Sequence, residues 1–146
     1  DLPETNTYYL DVRARPSSDT SAIPANTFVP ALALDAQLTP SSYSVLTWPA
    51  AYATLNDAVK AKNTGGQEWT TAGGFALSLK VFDGATLVAT DTWTLPNPVP
   101  SGSEVNINKA VTRPNLPGRT VELRWQMTHN NVPFGGTAIK GWYIAP

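Results

Sequence analysis

Val121-Glu122-Leu123-Arg124-Trp125-Gln126-Met127-Thr128 carries an apolar side chain at every odd position and a polar one at every even position. Successive side chains on a strand point to opposite faces, so this stretch predicts a half-buried β-strand with Val121, Leu123, Trp125 and Met127 toward a core. The same period runs through Tyr8–Arg15, where Tyr8, Leu10, Val12 and Ala14 share one side and Tyr9, Asp11, Arg13 and Arg15 the other.

Phe75, Leu77, Leu79 and Val81 form a third apolar face, followed by Asp83-Gly84 and then by Leu87, Ala89, Trp93 and Leu95 on alternate positions. This predicts a hairpin. A two-residue Asp83-Gly84 loop would set Leu79 opposite Val88 and put the threonines on the apolar face. A loop one residue longer sets Val81 opposite Leu87, Leu79 opposite Ala89 and Phe75 opposite Trp93, merging the apolar faces. Register follows the buried face, so the longer loop is the expectation. It leaves Thr86, Thr90, Thr92 and Thr94 as an outward polar row.

Further strands are expected at Thr27–Leu34, with Pro30 restricting it to an edge or irregular strand, and at Tyr43–Trp48, Glu104–Val111 and Ala138–Ile144. One short α-helix is expected from Ala50 or Leu55 to Lys62. Leu55 and Val59 lie four apart, Thr54 and Asp57 resemble a cap, and Thr64-Gly65-Gly66 supplies a stop. The proline- and glycine-rich stretches 96–102, 114–118 and 132–136 read as long connections between sheets. The fold class is therefore all-β, a single antiparallel β-sandwich over residues 1–146, jelly-roll-like in its connections, with residues 1–7 as an N-terminal arm.

Composition narrows function by exclusion. Charged residues make up 14 % of the chain, against roughly 25 % in ordinary globular domains. The formal net charge of −1 offers no basic footprint for phosphate backbones, so nucleic acid is not an expected partner. No apolar run approaches the roughly 18 residues a helical span needs, so membrane insertion is not expected. Without cysteine there is neither a disulfide framework nor a thiolate nucleophile.

Catalytic apparatus is sparse. The lone histidine, His129, reads as a strand-end polar residue rather than as the base of a triad. Acidic residues are scattered singly, without the dense spacing of a calcium loop, and only Glu68 with Glu122 suggests a glycosidase pair. No enzyme, metal or cofactor is expected, although a calcium site assembled from distant loops stays open.

Aromatic surface is more plentiful. Trp93, Trp125 and Trp48 belong to core faces by strand period. The doublets Tyr8-Tyr9 and Trp142-Tyr143 cannot both bury two rings, because neighbours on a strand face opposite ways. Trp69 has no apolar neighbours in Gln67-Glu68-Trp69-Thr70-Thr71. Tyr9, Trp69, Trp142 and Tyr143, with Asn130 and Asn131 as hydrogen-bonding side chains, are accordingly the candidate binding residues.

Val121-Glu122-Leu123-Arg124-Trp125, leading through a glycine-rich loop into Gly141-Trp142-Tyr143-Ile144, resembles the closing strands of two groups: jelly-roll accessory domains of extracellular bacterial proteins and phage virion surface proteins. The resemblance covers about the last 30 residues and departs from the accessory domains where Ala145-Pro146 replaces an acidic residue. It implies a structural or decorating subunit on a virion surface or extracellular assembly, with copies of itself and a capsid or filament protein as partners. The alternative is a carbohydrate-binding module with a glycan ligand, in which Tyr9, Trp69 and Trp142 stack on sugar rings.

Overall fold

Eight strands carry the described part of the chain, residues 33–146, in the computed structural model. They are β1 (Ala36–Pro40), β2 (Leu46–Trp48), β3 (Thr54–Asn63), β4 (Phe75–Asp83), β5 (Thr86–Trp93), β6 (Glu104–Thr112), β7 (Thr120–His129) and β8 (Val132–Ile144). The expectations for the Tyr8–Arg15 strand, the 1–7 arm, Tyr9 and most of Thr27–Leu34 fall outside these residues.

The order β1-β3-β6 makes a three-stranded sheet and β2-β8-β7-β4-β5 a five-stranded one. All pairings are antiparallel except β2 with β8. The inward faces of both sheets share one apolar core, so the described residues form an all-β sandwich. In chain order, β1, β3 and β6 facing β8, β7 and β4 follow the A-B-E and G-F-C arrangement of immunoglobulin-type sandwiches, with β5 in the C′ position.

The two inner faces differ in composition. The five-stranded sheet contributes Trp48, Trp93, Trp125 and Trp142, whereas the three-stranded sheet offers aliphatic side chains, Ala36, Leu38, Val59, Ala61, Ile107 and Val111. Rings on one layer therefore pack against aliphatics on the other. Trp48 and Trp142 meet edge to face at 5.4 Å, and Trp93 and Trp125 do so at 5.9 Å.

The expected helix is not formed. Its residues are β3, the central strand of the three-stranded sheet, with Asp57, Val59, Ala61 and Asn63 buried on alternate positions. Leu55 and Val59, four apart, satisfy a period of two as well as a helical period. Asp57 occupies an inward position where a strand reading looks for an apolar residue, and that polar interruption hid the alternation.

The β4–β5 hairpin keeps the expected parity but not the expected register. Gly84-Ala85 forms a two-residue loop between paired Asp83 and Thr86, and a bulge follows at Val81/Phe82. Gly84 has φ 62°, suited to the first position of a type II′ turn. The bulge restores odd with odd, setting Val81 opposite Ala89 and Leu77 opposite Trp93, but only Trp93 is buried; Leu87 and Ala89, expected on the apolar face, are exposed. Leu79 then faces Asp91. Thr90, Thr92 and Thr94 are exposed, as expected.

The stretch 132–136 is the start of β8 rather than a long loop. The β7–β8 loop is only Asn130-Asn131, with φ of 50° and 68°, and a register shift opposite Gln126/Met127 lets Gly135 bulge toward β1. A Cβ on Gly135 would lie 2.6 Å from the Ala36 backbone nitrogen, so only glycine fits this approach.

Asp91, facing inward near the β5 edge, closes one side of the sandwich by pairing with Lys109 of β6 at 3.0 Å. Partial burial raises the carboxyl's pKa, but the Lys109 hydrogen bond and charge, the Thr92 N–H and the Trp93 indole outweigh it. The net effect holds the group below the ordinary aspartate value. A depressed folded-state pKa gives stability that is present above the unfolded value and lost as pH falls through the folded one. With both partners well exposed, the pair is worth no more than about 1 kcal/mol. We expect the stability gap between the native chain and Asp91→Asn, measured by urea unfolding at pH 7, to shrink steadily below about pH 4; a gap that is constant or wider at pH 3 contradicts this.

Candidate interaction face and buried polar cluster

Among the described residues, the outward side chains of the five-stranded sheet form an accessible surface of mixed chemistry. Ile139 and Tyr143 project from β8, Glu122, Arg124, Gln126 and Thr128 from β7, and Ser78, Lys80 and Phe82 from β4. The segment preceding β2 lies beside them. Gly141 leaves room for Val45, whose Cγ2 sits 2.9 Å from where a Cβ would be. Tyr43 (77 % exposed) and Val45 (60 %) extend the apolar end formed by Ile139 and Tyr143. A shallow depression of about 390 Å³ between Tyr43, Val45, Phe82 and Ile139 adjoins a second, of about 290 Å³, lined by Phe82, Arg124, Gln126, Thr128 and Asn131. The Arg124 guanidinium covers the Phe82 ring at 4.2 Å and pairs with Glu122 at 2.8 Å, beside the exposed Lys80.

The expected binding residues do not gather here. Trp69 is fully buried. It pairs with Val99 through reciprocal backbone hydrogen bonds of 3.0 and 2.9 Å, and its ring meets Phe134 edge to face at 6.0 Å. Buried Asn63 ties the same region together, donating to the carbonyls of Gln67 and Val99 and accepting from the Gly65 N–H. Trp142 also points inward and is 7 % exposed. A sugar platform built on these two indoles is therefore ruled out by burial.

Tyr143, its neighbour, lies on the outer face at 37 % exposure, which is the division the doublet demanded. Asn130 and Asn131 are exposed, but their positive φ values identify a type I′ turn, for which asparagine is a favoured residue. Only Asn131 reaches the second depression.

His129 stacks on Phe75 with ring centroids 4.3 Å apart, and its Nε2 lies 3.0 Å from the Gly73 carbonyl oxygen. It serves to hold a strand end. Among the described residues, no three His, Asp or Glu side chains converge as a metal site.

Sequence reading missed a polar cluster inside the sandwich. Asp57 of β3 and Lys140 of β8 both face inward, one from each sheet, and meet at 2.8 Å with side chains nearly inaccessible to water. Lys140 Nζ also donates to Ser41 Oγ at 2.7 Å, and Ser41 Oγ donates to Asp57 Oδ1 at 2.8 Å. Trp142 Nε1 donates to Asp57 Oδ2 at 3.1 Å and the Ala58 N–H to Oδ1 at 2.9 Å. The ammonium lies 4.8 Å from the Trp142 ring centroid, a cation–π distance. Carboxylate and ammonium are thus each satisfied by several partners, as a buried pair requires. Lys140 continues the inward row Ala138, Lys140, Trp142, Ile144, and a lysine in a core row was the available signal.

The chain matches no known family model, no curated protein and no solved structure.

Two substitutions separate core from surface roles. Trp69→Ala should lower the unfolding free energy by about 3–5 kcal/mol, the usual range for deleting a buried indole, whereas an effect under about 1 kcal/mol in a denaturant titration would place the ring at the surface. Lys140→Met leaves Asp57 buried without its cation and should cost about 3–5 kcal/mol by the same titration; near-neutral behaviour would mean that the pair is not enclosed.

Proposed function

We propose that this chain is a non-enzymatic structural or decorating subunit of an extracellular or virion assembly, joined to copies of itself or to a capsid or filament protein by contact. The observation that carries this reading is the apolar end of the five-stranded sheet's outer face, where Tyr43, Val45, Ile139 and Tyr143 are all exposed. Grouped exposed apolar side chains mark interaction surfaces, and tyrosine is enriched there. Within the described residues, β2 and β5 each pair on one side only, so each has an edge suited to strand addition. The strand order, shared with immunoglobulin-type sandwiches, lends no support to the finer jelly-roll likeness.

The carbohydrate-binding alternative retains one supporting feature, the depression lined by Gln126, Thr128 and Asn131. Of its two aromatic lining residues, Trp125 is buried in the core and Phe82 lies under Arg124, so a stacking surface is lacking.

Sedimentation of the purified chain across a wide concentration range tests the contact reading. Oligomers or particle binding are expected, with association weakened at least tenfold by Ile139→Lys while the fold is retained. A chain that stays monomeric at high concentration and binds no larger particle, or one that is retained by a polysaccharide column, overturns it.

A further inference from the structure

We propose that Lys140 and Asp57 join covalently, Nζ to Cγ, in an intramolecular amide that stitches the two sheets together inside the core. The inference is independent of the contact reading and rests on the cluster's geometry. A primary amine and a carboxyl group are held 2.8 Å apart, from opposite sheets, in a site nearly closed to water. In bulk water, amide formation from these groups is unfavourable and slow. Fixing both partners in a rigid core raises their effective concentration to about 10⁵–10⁸ M, and exclusion of water suppresses the reverse hydrolysis.

Each step has a group in place. A low-dielectric setting disfavours separated charges, so transfer of one proton along Nζ–H···Oδ1 converts the ion pair to neutral amine and neutral acid. The amine lone pair then attacks Cγ, and negative charge develops on Oδ2, where the Trp142 indole N–H is already aimed at 3.1 Å. Ser41 touches both Nζ, at 2.7 Å, and Oδ1, at 2.8 Å. Its hydroxyl takes the second amine proton and passes its own to Oδ1. The Cγ–Oδ1 bond breaks as Oδ2 returns to a carbonyl. One Nζ–Cγ bond is gained and one water leaves, with no oxidant, metal or cofactor required. The water that leaves carries Oδ1 and two protons, one taken directly from Nζ and one relayed from Nζ through Ser41.

The product would close a loop across 83 positions of sequence in a chain that has no cysteine to form a disulfide. Unlike a disulfide, it is indifferent to reductants.

Intact-mass measurement of the purified full chain under denaturing conditions decides the matter. The expected result is a mass lower by one water, with a branched peptide joining Asp57 to Lys140 after trypsin digestion and no cleavage at Lys140. Asp57→Ala should show the full mass whether or not it folds, and Ser41→Ala should slow closure by about 10²-fold, read as the open fraction at matched times after synthesis. A native chain of full mass overturns the proposal. So does loss of water with Lys140 still cleavable, the signature of a succinimide at Asp57-Ala58. Closure of Ser41→Ala at the native rate removes Ser41 from the chemistry.

Discussion

Two opposite charges lie where the strand period demands apolar side chains, and the sandwich is arranged to keep them together. Asp57 sits at the centre of the three-stranded sheet and Lys140 in the inward row of β8, so neither can turn to solvent without its strand reversing face. Desolvating two ions costs several kcal/mol each, and attraction offsets this only when geometry and hydrogen bonding are nearly complete. The Ser41 hydroxyl, the Ala58 amide and the Trp142 indole supply that completion. Spacing between the sheets, the position of the β1–β2 connection that carries Ser41, and the inward setting of Trp142 are thereby coupled to one contact.

That coupling explains where the sequence could be read and where it could not. β7 was legible because Val121, Leu123, Trp125 and Met127 alternate without interruption, and β6 and the end of β8 were legible by the same rule. β3 was not, because its inward row carries a buried polar residue, Asp57. A rule that equates inward with apolar fails at the position where a fold places a buried charge. The inward aspartate and the Leu55/Val59 spacing together imitated an amphipathic helix. Bulges were also invisible: the two-residue Gly84-Ala85 loop and the shift at Val81/Phe82 give the same parity as the longer loop, so pattern alone could not separate them.

The candidate binding residues divide along similar lines. Trp142-Tyr143 obeyed strand alternation, and only the choice of which ring faces inward needed the structure. Trp69 lies outside regular strands, where no period applies, and its polar sequence neighbours suggested exposure. Long-range partners, Val99, Phe134 and Asn63, enclose it instead. Asn130-Asn131 carried a signal that was passed over. Two residues tolerant of positive φ between alternating runs are a hairpin-turn signature, and that turn accounts for both asparagines more directly than sugar binding does.

The surplus of aromatic residues therefore has a different meaning from the one composition suggests. All five tryptophans are buried, so the aromatic excess is consumed in the core of the sandwich. The exposed apolar side chains are instead tyrosines and aliphatics, Tyr43, Tyr143, Val45 and Ile139, on the opposite surface of the five-stranded sheet. β8 links the two roles residue by residue: Lys140 and Trp142 complete the inner cluster while Ile139 and Tyr143 alternate with them on the outer face.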